Sequence, residues 1–263
     1  MRLNKFLASR GICSRREADR LIENGSVTVN GAPAQMGMLV DGSEEIICEG
    51  KKVGEEQKKV VLLYHKPAGV TCTQRDAHAK RTIATEIDYP VRVTYAGRLD
   101  KESEGLLLLT NDGDLIEEMM RGANGHEKEY EVWVNRPIQA SDLKEMAAGV
   151  YLEELDVTTR PCEVRKTGEK SFRIVLTQGL NRQIRRMCET LGYRVTHLVR
   201  YRVVNLELGD LPKGQYREAT AQEVDGLWKA LRFGAGQKKQ TKAKLSDDGE
   251  KHAGRRKQGN QRR

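Results

Sequence analysis

AGRLDKESEGLLLLTNDG, residues 96–113, is the stretch that decides how this chain is organised. Residues 106–110 form an unbroken apolar run, long enough for a strand covered on both faces. Asn111-Asp112-Gly113 then turns the chain into a helix with Leu115, Ile116, Met119 and Met120 inward, stopped by Gly122. On the other side Gly97 marks a turn, so Asp100 falls between a turn and a core strand, where a scaffold can hold a side chain rigidly at a cleft. An aspartate in a loop more often hydrogen-bonds its own backbone, and Arg98 offers an ion pair two residues away. The residues by themselves leave these uses of Asp100 open.

Outward from that stretch, residues 60–64 read as a strand, 65–69 as a turn and 70–73 as a second strand, while 91–95 alternate. Further strands are expected at 129–135, 171–177 and 201–208. A last helix opens with a capping box from Thr220 to Glu223 and buries Val224, Leu227, Trp228 and Leu231. Strands outnumber helices without alternating with them, which predicts an α+β domain built on a mostly antiparallel mixed sheet.

The N-terminus reads as a separate small module. Leu3, Phe6 and Leu7 mark a short amphipathic helix that Gly11 stops. Ser14 to Glu17 is a capping box, Ala18, Leu21 and Ile22 form the buried stripe of a second helix, and Gly25 ends it. Val27 and Val29 alternate like a strand, Asn30-Gly31 signals a hairpin turn, and residues 45–48 return alongside. Residues 50–59 (GKKVGEEQKK) read as a linker. The expected units are residues 1–54, a larger domain over 60–231, and a tail over 232–263.

Charge sharpens this division. The 263 residues carry a formal charge of +8, with 46 Lys+Arg against 38 Asp+Glu. Residues 232–263 hold eleven Lys/Arg against three acids, which is the whole surplus. Such a tail has too little apolar surface to offset its ordering entropy, so it reads as a disordered basic arm adding salt-sensitive affinity for a polyanion. Two further basic patches, Arg2 to Arg20 and Arg182 to Arg202, suggest a ligand with a long phosphate backbone. A mean hydropathy of −0.66 and the absence of a long apolar run argue against a membrane-spanning chain, and charges interrupt the place a signal peptide would occupy. Five widely spaced cysteines, with no CxxC pair, suit neither a disulfide framework nor a zinc ribbon and fit a reducing cytoplasm.

Longer patterns add to this reading. L-N-K-F-L-A-S-x-G-x-x-S-R-R-E-A-D-x-L-I-x-x-G-x-V-x-V-N-G, from Leu3 to Gly31, resembles the S4 RNA-binding domain. The resemblance implies that Lys5, Arg15, Arg16 and Arg20 contact RNA phosphates. G-R-L-D-x-x-S-x-G-L-L-L-L-T-N-D-G resembles the active-site loop of pseudouridine synthases of the RsuA/RluB/RluF branch. Residues 179–187 (GLNRQIRRM), Lys66-Pro67-x-Gly69 and Glu127-Lys128-Glu129-Tyr130 are similar to further stretches of that branch, in the expected order. With the basic extension, the combination is most similar to the RluF type, which acts on 23S ribosomal RNA; RluB-like and RsuA-like site choices stay open, as does a transfer RNA substrate.

What the resemblance implies is specific. Asp100 is the catalytic carboxylate, attacking C1′ of the uridine or taking a proton from C2′. Arg185 is the basic partner that keeps it ionised. Tyr130 stacks on the extruded uracil and lies on the route by which the C5 proton leaves. Arg98, Asn181, Arg182 and Arg186 are implied as RNA contacts beside the site. Ile184, Cys188 and Leu191 fall on one helical face and Arg182, Arg185 and Arg186 on the other. The isomerisation needs no cofactor and no metal. The expected partners are ribosomal RNA and ribosome assembly particles, with the chain acting as a monomer in the cytoplasm and on no membrane.

Two other chemistries fit poorly. His126-Glu127-Lys128-Glu129-Tyr130 begins like a zincin motif but carries Tyr130 where a second histidine belongs. A glycosidase needs two carboxylates, and no second acid stands out beside Asp100. The rival from another class is a ribosome-associated RNA-binding protein without turnover. It predicts loss of Asp100, Tyr130 or Arg185, and all three are present.

Overall fold

The computed structural model describes residues 1–55, 57–73, 81–121 and 125–232. The expected basic arm beyond Arg232, apart from that residue, and the expected helix stop at Gly122 lie outside the described residues.

The N-terminal unit folds as its apolar spacing dictates. Helices α1 (Leu3–Ser9) and α2 (Arg15–Glu23) lie against a four-stranded antiparallel sheet of β1 (Val27–Val29), β2 (Ala32–Pro33), β3 (Ile46–Cys48) and β4 (Lys51–Lys52), in the order β2-β1-β3-β4. Leu3, Phe6, Leu7, Ala18 and Ile22 pack on Val27, Val29, Ile46 and Cys48. Ser14 Oγ accepts the Glu17 amide at 3.2 Å and so starts α2. Asn30 and Gly31, with φ of 51° and 79°, make the tight turn. Residues 45–48 run beside β1 as expected, but the strand directly across the turn is β2. The expected linker starts later than its composition suggested, because Lys51 and Lys52 pair with Cys48 and Ile47. An edge strand needs only its backbone, so solvated lysines disguise it as linker.

The larger unit is one mixed sheet, nine-stranded among the described residues, with the path β11-β12-β8-β13-β7-β5-β15. Its strands are β5 (Val61–Lys66), β6 (Thr94–Tyr95), β7 (Glu104–Thr110), β8 (Lys128–Val134), β11 (Glu163–Lys166), β12 (Ser171–Leu176), β13 (Val195–Val203), β14 (Leu206–Glu207) and β15 (Tyr216–Glu218). Two-residue strands β9 (Tyr151–Leu152) and β10 (Val157–Thr158) pair apart from it. Only the β13–β7 contact in this sheet is parallel, which gives the α+β, mostly antiparallel architecture. The helices are α3 (Ile83–Glu86), α4 (Gly113–Met120), α5 (Ala140–Ala148), α6 (Gln183–Thr190) and α7 (221–232).

Every residue of β7 is buried, which explains its unbroken apolar run. Leu106 and Leu108 pack with Val61, Leu63, Leu227 and Leu231 on one face, and Leu107 and Leu109 with Leu62, Tyr64 and Leu99 on the other. The α7 capping box forms in full: Glu223 Oε2 accepts the Thr220 amide at 2.8 Å and Thr220 Oγ1 the Glu223 amide at 3.2 Å.

Elsewhere local pattern was overridden. The strand β5 continues through His65 and Lys66, where a turn was expected, because both find partners across on β7. Residues 70–73 contribute only an isolated bridge from Thr71 to Thr82, and only Thr94 and Tyr95 of 91–95 pair as a strand. Residues 201–208 are the end of the longer β13, then β14 after a turn at Val204 (φ 57°). Met120 points outward, 54% exposed, at the last turn of α4.

Candidate active site

The loop from Gly97 to Ser103 leads into β7 at the parallel junction of the sheet. Gly97 enters it with φ +94°. Leu99 is buried among Tyr64, Val70 and Leu107, and its amide donates to Cys72 Sγ at 3.5 Å. Ser103 is also buried, and its amide donates to the Asp100 carbonyl at 3.1 Å. Asp100 stands half-buried between these two anchors, with Lys101 and Glu102 exposed beyond it. The backbone is thus fixed on either side while the carboxylate keeps access to solvent.

Two buried cations hold the loop from beneath. Lys66 is fully buried, and its Nζ donates to the carbonyls of Ser103 (2.8 Å), Pro67 (3.0 Å) and Lys101 (3.4 Å). Burial pushes its ammonium down to about 8; Arg200 adds to the shift, while Cys72, Asp100 and Glu102 oppose it. Arg200 is 2% exposed and donates from Nε to Leu106 O at 2.8 Å and from Nη1 to Arg98 O at 3.3 Å. The register lines them up: Lys66 opposes Gly105, Gly105 opposes Arg200, and Arg200 opposes Tyr130. Directly opposed residues share a sheet face, so this row forms the floor of the site. Lys128 lies two residues along from Tyr130, and burial, with Arg200, pushes its ammonium down to about 8 as well.

Helix α6 closes one side. Its first turn docks on the residue two positions after Asp100: Arg185 Nη2 donates to Glu102 O at 3.3 Å, and Arg182 Nη1 to Glu102 Oε2 at 3.1 Å. The Glu102 carboxyl is held below the ordinary carboxylate range, first by its own backbone amide and then by Arg182 and Arg185. Arg185 therefore reaches the Asp100 loop through its backbone, and among the described residues it makes no ion pair with the Asp100 carboxylate. Its Nε is buried and has no hydrogen-bond partner among the described residues. Ile184, Met187 and Cys188 are buried beneath, which turns the arginines outward as the helical period requires. Arg186 pairs with Glu154 and donates from Nε to Asn181 O at 3.1 Å, while Asn181 and Arg98 are exposed. Tyr130 is half-buried at the seam between two cores.

The N-terminal unit meets this domain at the start of α4, past the end of β7 that lies away from Asp100. Lys5 Nζ lies 2.6 Å from Asp114 Oδ1, at the first turn of α4, and Lys59 lies 3.1 Å from Asp112. Arg15 and Arg16 are exposed, and Arg20 lies 3.7 Å from Glu17. Asp100, Tyr130 and Arg185 thus gather on one side of the sheet with Arg98, Asn181 and Arg182, whereas Lys5, Arg15, Arg16 and Arg20 belong to the separate module. Arg200 and Lys66 were not singled out from sequence as site residues. The usable signal was Gly105, because a glycine inside a buried strand marks a close backbone approach. A Cβ there would land 2.5 Å from the Arg200 amide nitrogen and closer still to its carbonyl oxygen.

Comparison with known proteins shows the family. Residues 60–190 match the family profile described as RNA pseudouridylate synthase, and residues 1–46 match the S4 domain. The chain is 43% identical over 232 residues to the dual-specificity RNA pseudouridine synthase RluF of Salmonella typhi, covering 88% of this chain and 79% of that protein. It is 34% identical over 232 residues to the ribosomal large subunit pseudouridine synthase B of Bacillus subtilis, covering 86% and 95%. A crystal structure of a pseudouridylate synthase superposes with a TM-score of 0.64 at 27% identity, covering 86% of this chain and 99% of that one.

Proposed function

Since this chain belongs to the RNA pseudouridine synthases, we propose that it converts a specific uridine of large-subunit ribosomal RNA to pseudouridine, with Asp100 as the reacting carboxylate. The RNA class rests on the relatives, one named as acting on the ribosomal large subunit and one named as having dual specificity. The second name supports a second RNA substrate, for which a transfer RNA is the natural candidate.

The observation that carries the residue assignment is the clamped loop: buried Leu99 and Ser103 on either side of a half-exposed carboxylate, over a floor of buried cations. The uridine swings out of its stack at a cost of a few kcal/mol, which phosphate contacts offset. Asp100 then attacks C1′ or takes a proton from C2′; either step begins with the ionised acid and ends with the N1–C1′ bond broken. The free uracil turns and C5 bonds to C1′ as the Asp100–C1′ bond breaks or, in the other route, as Asp100 returns its proton to C2′; the C5 proton then leaves while N1 gains one, so the atoms balance without a donor. Tyr130, opposite Arg200, stacks on the base and serves the C5 proton. Arg185, anchored on Glu102 O two residues after Asp100, supplies its guanidinium to the flanking phosphate and, once RNA is bound, to the carboxylate.

In this reading residues 1–54 are the RNA-holding module, 60–231 the catalytic domain and 232–263 a basic arm. Arg15 and Arg16, with Arg98 and Asn181, take phosphates directly, and Arg20 does so on leaving Glu17. Lys5, Arg182 and Arg186 exchange an acidic partner for RNA. Incubating the purified protein with large-subunit ribosomal RNA carrying tritium at uridine C5 is the test. Release, and a single mapped pseudouridine in large-subunit ribosomal RNA from cells that have the protein but not from cells that lack it, is the expected result. Tight binding without release would favour an RNA-binding protein that has kept the fold and lost turnover.

A further inference from the structure

Arg200 is the most deeply buried arginine of the site, and its surroundings do not account for its charge. It sits mid-strand in β13, between β7 and β8, at 2% exposure. Among the described residues no carboxylate lies within ion-pair distance of its guanidinium; both of its hydrogen bonds go to backbone carbonyls. Burying a cation without a counter-ion is costly, and an apolar side chain of similar volume would serve the core at least as well. The two carbonyls are what distinguish it. Arg98 lies two residues before Asp100 and Leu106 six residues after it, on the two legs of the loop that presents the carboxylate. A planar guanidinium can bridge two acceptors that far apart in sequence, whereas an ammonium is a point donor. The same strand is pressed against the loop's exit: Gly105, at φ +112°, has room for no Cβ against the Arg200 backbone.

We propose that Arg200 is a positioning residue for the isomerisation, tying both legs of the Asp100 loop and so setting the depth and direction of its carboxylate. The inference rests on Asp100 being the reacting carboxylate. Lys66 fixes the carbonyls of Lys101 and Ser103, in the second half of the loop, and Arg200 ties its entry at Arg98 to the strand that follows it at Leu106. Removing Arg200 leaves Asn181 and Arg182 at the start of α6 and the arginines of the N-terminal module in place, so binding and reaction separate.

The test uses the full-length protein with Arg200→Met, Arg200→Lys and, as a control, Asp100→Asn. Each is assayed for RNA affinity, thermal midpoint and C5 tritium release in a single turnover at saturating enzyme. Arg200→Met is expected to fall about 100-fold in rate, the scale of a misplacement near 1 Å, with affinity within twofold and no loss of thermal midpoint. Arg200→Lys, holding one carbonyl instead of two, is expected between that value and the wild type at unchanged affinity. If Arg200→Met keeps its rate per folded molecule and loses only stability, the residue is structural and the proposal fails. If Arg200→Met does not fold, Arg200→Lys decides: a wild-type rate overturns the proposal. Should Asp100→Asn itself remain active, the reading of the reacting carboxylate has failed, whatever Arg200 does.

Discussion

The two faces of the central sheet handle charge in opposite ways. Along β8, Glu129 and Glu131 alternate with Lys128 and Tyr130, so they face away from the site. On that far face Arg173 lies 2.6 Å from Glu131 and 3.3 Å from Glu129, while Arg202 lies 3.1 Å from both Glu129 and Glu127. Every one of these cations is matched, and Arg173 also lies over the ring of Tyr201. On the site face Lys66 and Arg200 are more deeply buried, and among the described residues carbonyl oxygens alone receive their hydrogen bonds. A matched network neutralises itself and offers nothing to a polyanion. An unmatched cation held in a dry floor keeps its potential for whatever anion arrives, which here is a carboxylate and the backbone of RNA.

The largest break in this contrast should come from Gly105→Ala. The added methyl collides with the Arg200 backbone at a positive φ, and the two strands cannot separate without opening the floor. A loss of about 3 kcal/mol or more is expected in urea unfolding. A loss near that of an ordinary surface substitution would mean that the junction is looser than its register implies.

Replacing Arg15 and Arg16 together by glutamine should weaken RNA binding and lower the slope of log affinity against log salt by about 2. Arg173→Gln, on the matched face, should leave that slope unchanged. Equal effects from the two replacements would mean that an arginine matched by carboxylates serves RNA as well as an unmatched one.

Titration offers a third comparison. Lys66 and Lys128 are both pushed down to about 8 from 10.5 by burial. Between these values the folded protein has released protons that the unfolded chain still holds, so stability should rise with pH from about 8 to about 10.5. Below pH 8 both states are protonated and the contribution is flat. The rise should shrink in Lys66→Met measured by urea midpoints across this range, and an unchanged rise would show that Lys66 titrates normally.

The smallest effect is expected from Arg173→Gln on stability. With a third of its side chain exposed and screening available, it should cost about 1 kcal/mol or less.

How much could be read from sequence follows the same line. The leucines of β7, the helix stripes and the capping box at Thr220 were legible because each is written in local spacing. Asp100 was legible as a loop acid and, through a resemblance, as a candidate for catalysis. Lys66 reads as part of a turn motif and Arg200 as part of a basic patch, because a charged side chain by itself reads as solvated, and only the pairing with Gly105 carries them inside. Lys51 and Lys52 were hidden for the converse reason, since an exposed edge strand has no apolar face to announce it. The direct bond from Arg185 to the Glu102 carbonyl was beyond sequence too, because it depends on how α6 docks on a loop eighty residues earlier.

One comparison tests the centre of this account: wild-type protein and Asp100→Asn, each saturating a C5-tritiated ribosomal RNA, followed through a single turnover alongside their RNA dissociation constants. The account predicts that the asparagine variant binds within twofold of wild type and releases no tritium above background. Release at a rate near that of the wild type would remove Asp100 from the chemistry and contradict the account.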